Sequence, residues 1–186
     1  MSVKTKSISV RDMVYTALFA AILCAVAPFS LAIGPIPLSF ATLIIYLAAG
    51  ALDWRYSAAS VALYIMLGAI GLPVFSNFEG GFYKIAGFTG GFIIGYIPMA
   101  LSTGLFINHF PEKNRLFFIG MAIGTILLYT CGVAWFMAQM DTSLAAALMA
   151  CVVPFLFGDT VKIILASILI PPLRKAMRTG GSGHRH

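Results

Sequence analysis

The chain has 186 residues, 60% of them hydrophobic and only 10% charged, with a mean hydropathy of +0.96. That balance excludes an ordinary soluble domain, where charged side chains make up about a quarter of the residues. The formal charge of +6 does not point to nucleic acid either, because the Lys and Arg residues sit in short connectors between apolar runs and form no continuous basic face.

Six apolar runs follow one another. The first covers about 13–33, carries no charged residue and has Pro28 late in it. It is longer than a signal-peptide core, lacks a small-residue cleavage site and is followed at once by further runs, so it reads as part of the mature protein. After the turn Gly34-Pro35-Ile36-Pro37, a short second run covers about 38–52 and a third about 56–72. A fourth, about 85–107, carries Gly87, Gly91 and Gly95 at four-residue spacing, a small-residue ridge suited to close helix packing. The fifth, 116–140, is again uncharged, and the sixth occupies about 143–173. Runs of this length and apolarity predict membrane-spanning helices. The expected fold is therefore an all-α integral membrane bundle of six transmembrane helices, a single domain over 1–179. Residues 180–186, Gly/Ser-rich with His184 and His186, look like an appended expression tail and are left out of the functional reading.

Charge placement orients the bundle. With the N-terminus in the cytoplasm, Lys4, Lys6, Arg11, Arg55, Lys113, Arg115, Arg174, Lys175 and Arg178 fall on one side and Lys84 alone on the other. Basic residues are retained on the cytoplasmic side, so both termini are expected there. The 34–37 turn, the 72–84 connector and the 139–142 turn then face outward. The 72–84 connector mixes aromatics, Asn77, Glu79, Tyr83 and Lys84 with flexible glycine. Such a segment serves as a lid over an outer pocket or as a solvated loop anchored by its aromatics, and composition leaves both readings open.

Asp159 and Lys162 lie well inside the sixth apolar run. Ionisable side chains at that depth cost roughly 2.5–3.5 kcal/mol each on insertion scales unless they face the bundle interior and find a partner. At i, i+3 they share a helix face and can partly neutralise each other. Pro154 and Gly158 just before them weaken the helix, and freed backbone groups are tolerated there only beside protein or a watered cavity. A polar pocket is one reading, and a structural ion pair that orients helices is the other. An acid beside an ammonium suits a small amide-like acid, with N–H groups donated to the carboxylate and a carboxylate or carbonyl taken by the lysine. Asn77, Tyr83, Ser39 and Thr42 could add neutral hydrogen bonds from the outer side, although helix-to-helix bonding is as good a reading for the last two. Ala17, Ala21 and Ala25 form a flat ridge on the first run that suits either internal packing or docking of another helix.

The sequence contains no phosphate-binding GxxxxGK[ST] loop, no HExxH, no GxSxG and no acidic metal-ligand run, and Cys24, Cys131 and Cys151 show neither CxxC nor His-paired spacing. One Asp, one Lys and scattered hydroxyls specify no reaction, so neither an enzyme, a cofactor nor a metal centre is expected.

Four segments together resemble the BioY family: Gly34-Pro-Ile-Pro-Leu-Ser39, Gly68-Ala-Ile-Gly-Leu-Pro-Val-Phe75, Thr89-Gly-Gly-Phe-Ile-Ile-Gly95 and Pro154-Phe-Leu-Phe-Gly-Asp-Thr-Val-Lys162. They run in order through nearly the whole span region. The resemblance implies a biotin-specific substrate-binding subunit, the S component of an energy-coupling factor transporter, in a prokaryotic plasma membrane. It implies partners as well: a transmembrane coupling protein (the T component) and two ABC-type ATPases that supply the energy. By the same resemblance, Asp159 and Asn77 hold the ureido ring, Lys162 adds a polar contact, Tyr83 and nearby aromatics line the site, and Ala17, Ala21 and Ala25 dock on the coupling protein. Ala41 departs from the family pattern, which implies a glutamine after the Pro-x-Pro turn. An S component for a different vitamin and a non-transporting assembly subunit of a membrane complex stand as the alternatives.

Overall fold

The computed structural model describes residues 9–32, 36–111 and 113–179. Lys4, Lys6, Gly34, Pro35 and the 180–186 tail lie outside the described residues, as do the side chains of Arg115 and Arg178.

Helix α1, Val10–Val26, stops well short of the end of the first apolar run. Pro28 stands just past it and has no N–H to carry the helical ladder onward. Further along that run β1, Ser30–Ala32, pairs antiparallel with β2, Pro37–Ser39, with Leu31 opposite Leu38, and Ile33 lies outside the described residues. The expected span 13–33 is therefore corrected to a shorter helix followed by one arm of a two-stranded ribbon. Helix α2, Ala41–Ala51, is short, as anticipated, and buried on most sides. Asp53 then starts α3, Trp54–Ala69, its carboxylate accepting from the Arg55 N–H at 3.2 Å. That bond satisfies one of the orphan donors of the first turn.

The 72–84 connector folds back on itself, with Phe75 bridged to Glu79 around a tight turn, Ser76–Phe78. Asn77 (φ 64°) and Phe78 (φ 58°) both adopt the left-handed region, which asparagine tolerates and phenylalanine rarely adopts. The Phe78 ring sits edge-on to Phe29 at 5.3 Å, and the Asn77 N–H donates to the Pro28 carbonyl at 3.0 Å. These contacts fasten the connector to the ribbon region.

The fourth run is divided between a short α4, Phe82–Ala86, and α5, Gly90–His109. Helix α6, Asn114–Met140, ends where Asp141 turns left-handed at φ 48°. The sixth run is also divided, into α7, Leu144–Cys151, and α8, Val153–Thr179. The break falls at Val152, two residues before Pro154, so the proline sits in the first turn of α8, where its missing N–H costs nothing. Gly158 lies inside α8, where a Cβ would press on the tip of Leu38 of the ribbon at 3.1 Å.

Among the described residues, three helical segments are long and apolar enough to cross a membrane: Gly90–His109, Leu116–Met140 and Val153–Met177. Helices α5 and α6 share the most extensive interface. A Cβ on Gly91 would collide with Trp135, and one on Gly132 with Phe92. The ridge at Gly91 and Gly95 therefore serves close packing, whereas Gly87 lies outside α5 and gives its carbonyl to the Trp135 indole N–H at 2.9 Å. Helix α2 is wedged between α5 and α8, and α1 lies against α3.

Candidate ligand-binding site

The polar centre is built where α2, α6, α8 and the ribbon meet. Asp159 and Lys162 project inward from α8, each only 5% exposed, and their Oδ1 and Nζ atoms are 2.9 Å apart. Lys162 also donates to the Ser39 carbonyl at 2.7 Å and to Thr42 Oγ1 at 3.0 Å. An ammonium has three donors, and all three are engaged. Ser39 is placed by its own hydroxyl, which donates to the Ala27 carbonyl and accepts the Ala41 N–H, both at 3.0 Å. That turn aims its carbonyl at the lysine, while Thr42 stands one residue into α2.

Asp159 is held from both sides. Its Oδ1 faces Lys162 and, at 3.5 Å, the Thr42 hydroxyl; its Oδ2 accepts from the Tyr129 hydroxyl of α6 at 2.5 Å. These groups border a cavity of about 40 Å³ whose other walls include Leu38, Phe92, Tyr96 and Phe155. Such a volume holds a few water molecules. A second hollow of about 30 Å³ adjoins it, sharing Ile36, Pro37, Phe92 and Tyr96 and reaching Ser76 and Lys84 of the connector. Lys84 is ion-paired with Glu79.

Four of the sequence-predicted residues, Asp159, Lys162, Thr42 and Ser39, thus converge on one cavity. Asn77 and Tyr83 do not line it. Asn77 is exposed and accepts a hydrogen bond from the Ser30 hydroxyl at 2.9 Å, and Tyr83 is 65% exposed. Sequence reasoning missed Tyr129 and Tyr96, since a tyrosine within an apolar run carries no periodic or spacing signal to distinguish it from core. Ala17, Ala21 and Ala25 all lie on the exposed side of α1, beside exposed Met13, Val14 and Leu18.

Span-length apolar helices closed around a buried acid and ammonium, with a half-buried tyrosine on the acid, define a multi-pass membrane protein with a polar centre, a class that includes transport proteins. The family model described as "BioY family" matches residues 1–179, and the chain belongs to that family. It is 32% identical over 168 residues to "Biotin transporter BioY" of Thermotoga maritima, covering 89% of this chain and 96% of that one. It is 33% identical over 172 residues to the protein of the same name from Rhizobium etli, covering 87% and 91%. Its structure superposes on a crystal structure of the S-component for biotin from an ECF-type ABC transporter with a TM-score of 0.81 and 26% identity, covering 94% of this chain and 95% of that one.

Proposed function

We propose that this protein is the biotin-capturing S component of an energy-coupling factor transporter, a single six-span domain over 1–179 in the plasma membrane of a prokaryote, with both termini cytoplasmic. A single observation carries the reading: a carboxylate and an ammonium buried on a span-length helix, closed over by the ribbon of β1 and β2, in a chain whose relatives are named biotin transporters. Asp159 accepts a ureido N–H. Lys162, with its donors spent on Ser39, Thr42 and Asp159, holds the acid and the ribbon in register for the ligand.

Pockets that enclose small-molecule ligands measure about 300 Å³ or more, far above the 40 Å³ present. Biotin therefore enters by parting the ribbon and the 72–84 connector, which brings Asn77 and Tyr83 to the ligand as parts of a lid. The exposed alanine face of α1 is the dock for the T component, and two ABC-type ATPases drive release inward. No cofactor is required for capture.

Equilibrium biotin binding by the detergent-purified protein tests this, with Asp159→Asn and Lys162→Ala alongside and size exclusion confirming that all three are folded. Tight binding by wild type that is lost in both folded variants is the expected result. A folded wild type that ignores biotin turns the assignment toward another vitamin or an assembly subunit.

A further inference from the structure

Tyr129 has a position that biotin capture by Asp159 does not by itself explain. Among the described residues it alone lines both the polar cavity and a groove of about 400 Å³ on the outside of the bundle. The groove is walled by Ile126, Val133 and Met137 of α6 and by Leu144 and Leu148 of α7, and Ile126, Leu144 and Leu148 are exposed. It runs along a segment apolar enough to cross the membrane, 116–140, so it opens toward lipid. The tyrosine stands between the two compartments, with its hydroxyl on the Asp159 Oδ2.

An ionised carboxylate offers about four acceptor positions. Lys162 and Thr42 occupy two on Oδ1, and Tyr129 takes one on Oδ2. The carboxylate is thereby fixed in rotation, with one acceptor position on Oδ2 left unused by these three contacts. We infer that Tyr129 is a positioning residue for Asp159 and the barrier that separates the ligand cavity from the surrounding lipid. The inference rests on the proposed biotin site.

The test compares biotin binding in lipid nanodiscs for wild type, Tyr129→Phe, Tyr129→Ala and Leu148→Ala. Tyr129→Phe keeps the ring and loses only the hydrogen bond to a charged group, and affinity is expected to fall about tenfold. Tyr129→Ala opens the wall as well and is expected to fall a further tenfold, roughly the effect of deleting a well-packed aromatic. Leu148→Ala enlarges the same groove without touching the cavity and stays within about twofold of wild type. A purely structural tyrosine is separated by thermal unfolding of the ligand-free single and double variants of Tyr129→Phe and Asp159→Asn, whose effects are expected to be non-additive. Wild-type affinity in Tyr129→Phe, an equal loss in Leu148→Ala, or additivity in the unfolding cycle overturns the positioning role. Equal affinities for the Phe and Ala variants remove the barrier. Should wild type fail to bind biotin, the proposed function falls, and the unfolding cycle still decides whether Tyr129 and Asp159 act as a pair.

Discussion

Helices α1 and α8 are both apolar, and both carry a feature repeating at one helical turn, yet the fold turns the two features in opposite directions. The alanines at 17, 21 and 25 on α1 face outward. On α8 the groups at 159, 162 and 166 face inward, with Asp159 and Lys162 each 5% exposed and Ala166 fully buried. Hydropathy alone sends a charge pair to water, and here it is buried; an apolar strip facing lipid is ordinary, and what sets this one apart is its small size and regular spacing. The charges face the cavity and the ribbon, and the alanine strip is left without a partner helix from the described residues on its outer side, the face proposed above as the dock.

The comparison predicts a graded set of stability changes, measured by unfolding in a fixed detergent. The largest belongs to Lys162→Met. Removing the ammonium leaves the buried Asp159 carboxylate without the cation it is paired with, a situation that costs about 3–5 kcal/mol in buried ion pairs. The double variant Asp159→Asn/Lys162→Met removes both charges and is expected to recover part of that loss. A Lys162→Met protein as stable as wild type would show that the pair is solvated, and the inward half of the comparison would fail.

Next comes Ala166→Leu. This alanine is fully buried one turn from both Lys162 and Ile170, which meet Thr42 and Gly50 of α2, and three added carbons have little room there. Overpacking of this kind costs typically about 1–3 kcal/mol. It provides the scale for the same change on α1, because the two substitutions add identical atoms, one to a buried position and the other to an exposed one.

The sequence made the inward pair legible because a charge inside an apolar run is costly unless it is buried against a partner, so its direction follows from energy alone. Ser39 and Thr42 were legible only as candidates; their convergence on Lys162 depends on the ribbon returning to α8, with Leu38 filling the space beside Gly158. The ribbon itself was hidden, since Ser30-Leu31-Ala32 is apolar enough to read as the end of a helix. Hydropathy measures transfer, and it does not distinguish a strand from a helix in a run of three residues. Tyr129 was hidden for another reason: its contact with Asp159 joins residues 30 apart in sequence, through the relative rotation of α6 and α8. The placement of Asn77 away from the cavity follows from two successive left-handed residues and one aromatic contact, which no periodicity announces.

The smallest expected change in stability is that of Ala21→Leu, and it tests the outward half of the comparison. Ala21 is exposed and lies between exposed Ala17 and Ala25 on the same face, so a larger side chain meets no atom of this chain's interior. Substitutions at such positions stay within about 0.5 kcal/mol. Biotin affinity should also be unchanged, because α1 contributes no residue to the cavity. What the leucine does alter is the approach of another helix: small residues at four-residue spacing allow backbones to come close, and one branched side chain holds them apart. Biotin uptake by cells expressing the variant with the T component and ATPases is therefore expected to drop at least about tenfold, a cost of about 1.4 kcal/mol at the docking step. A variant that unfolds like wild type, binds like wild type and does not transport assigns the strip to a partner. Full uptake, or an unfolding loss comparable to that of Ala166→Leu, would show that the alanines serve packing within the chain and that the contrast between the two helices is one of degree.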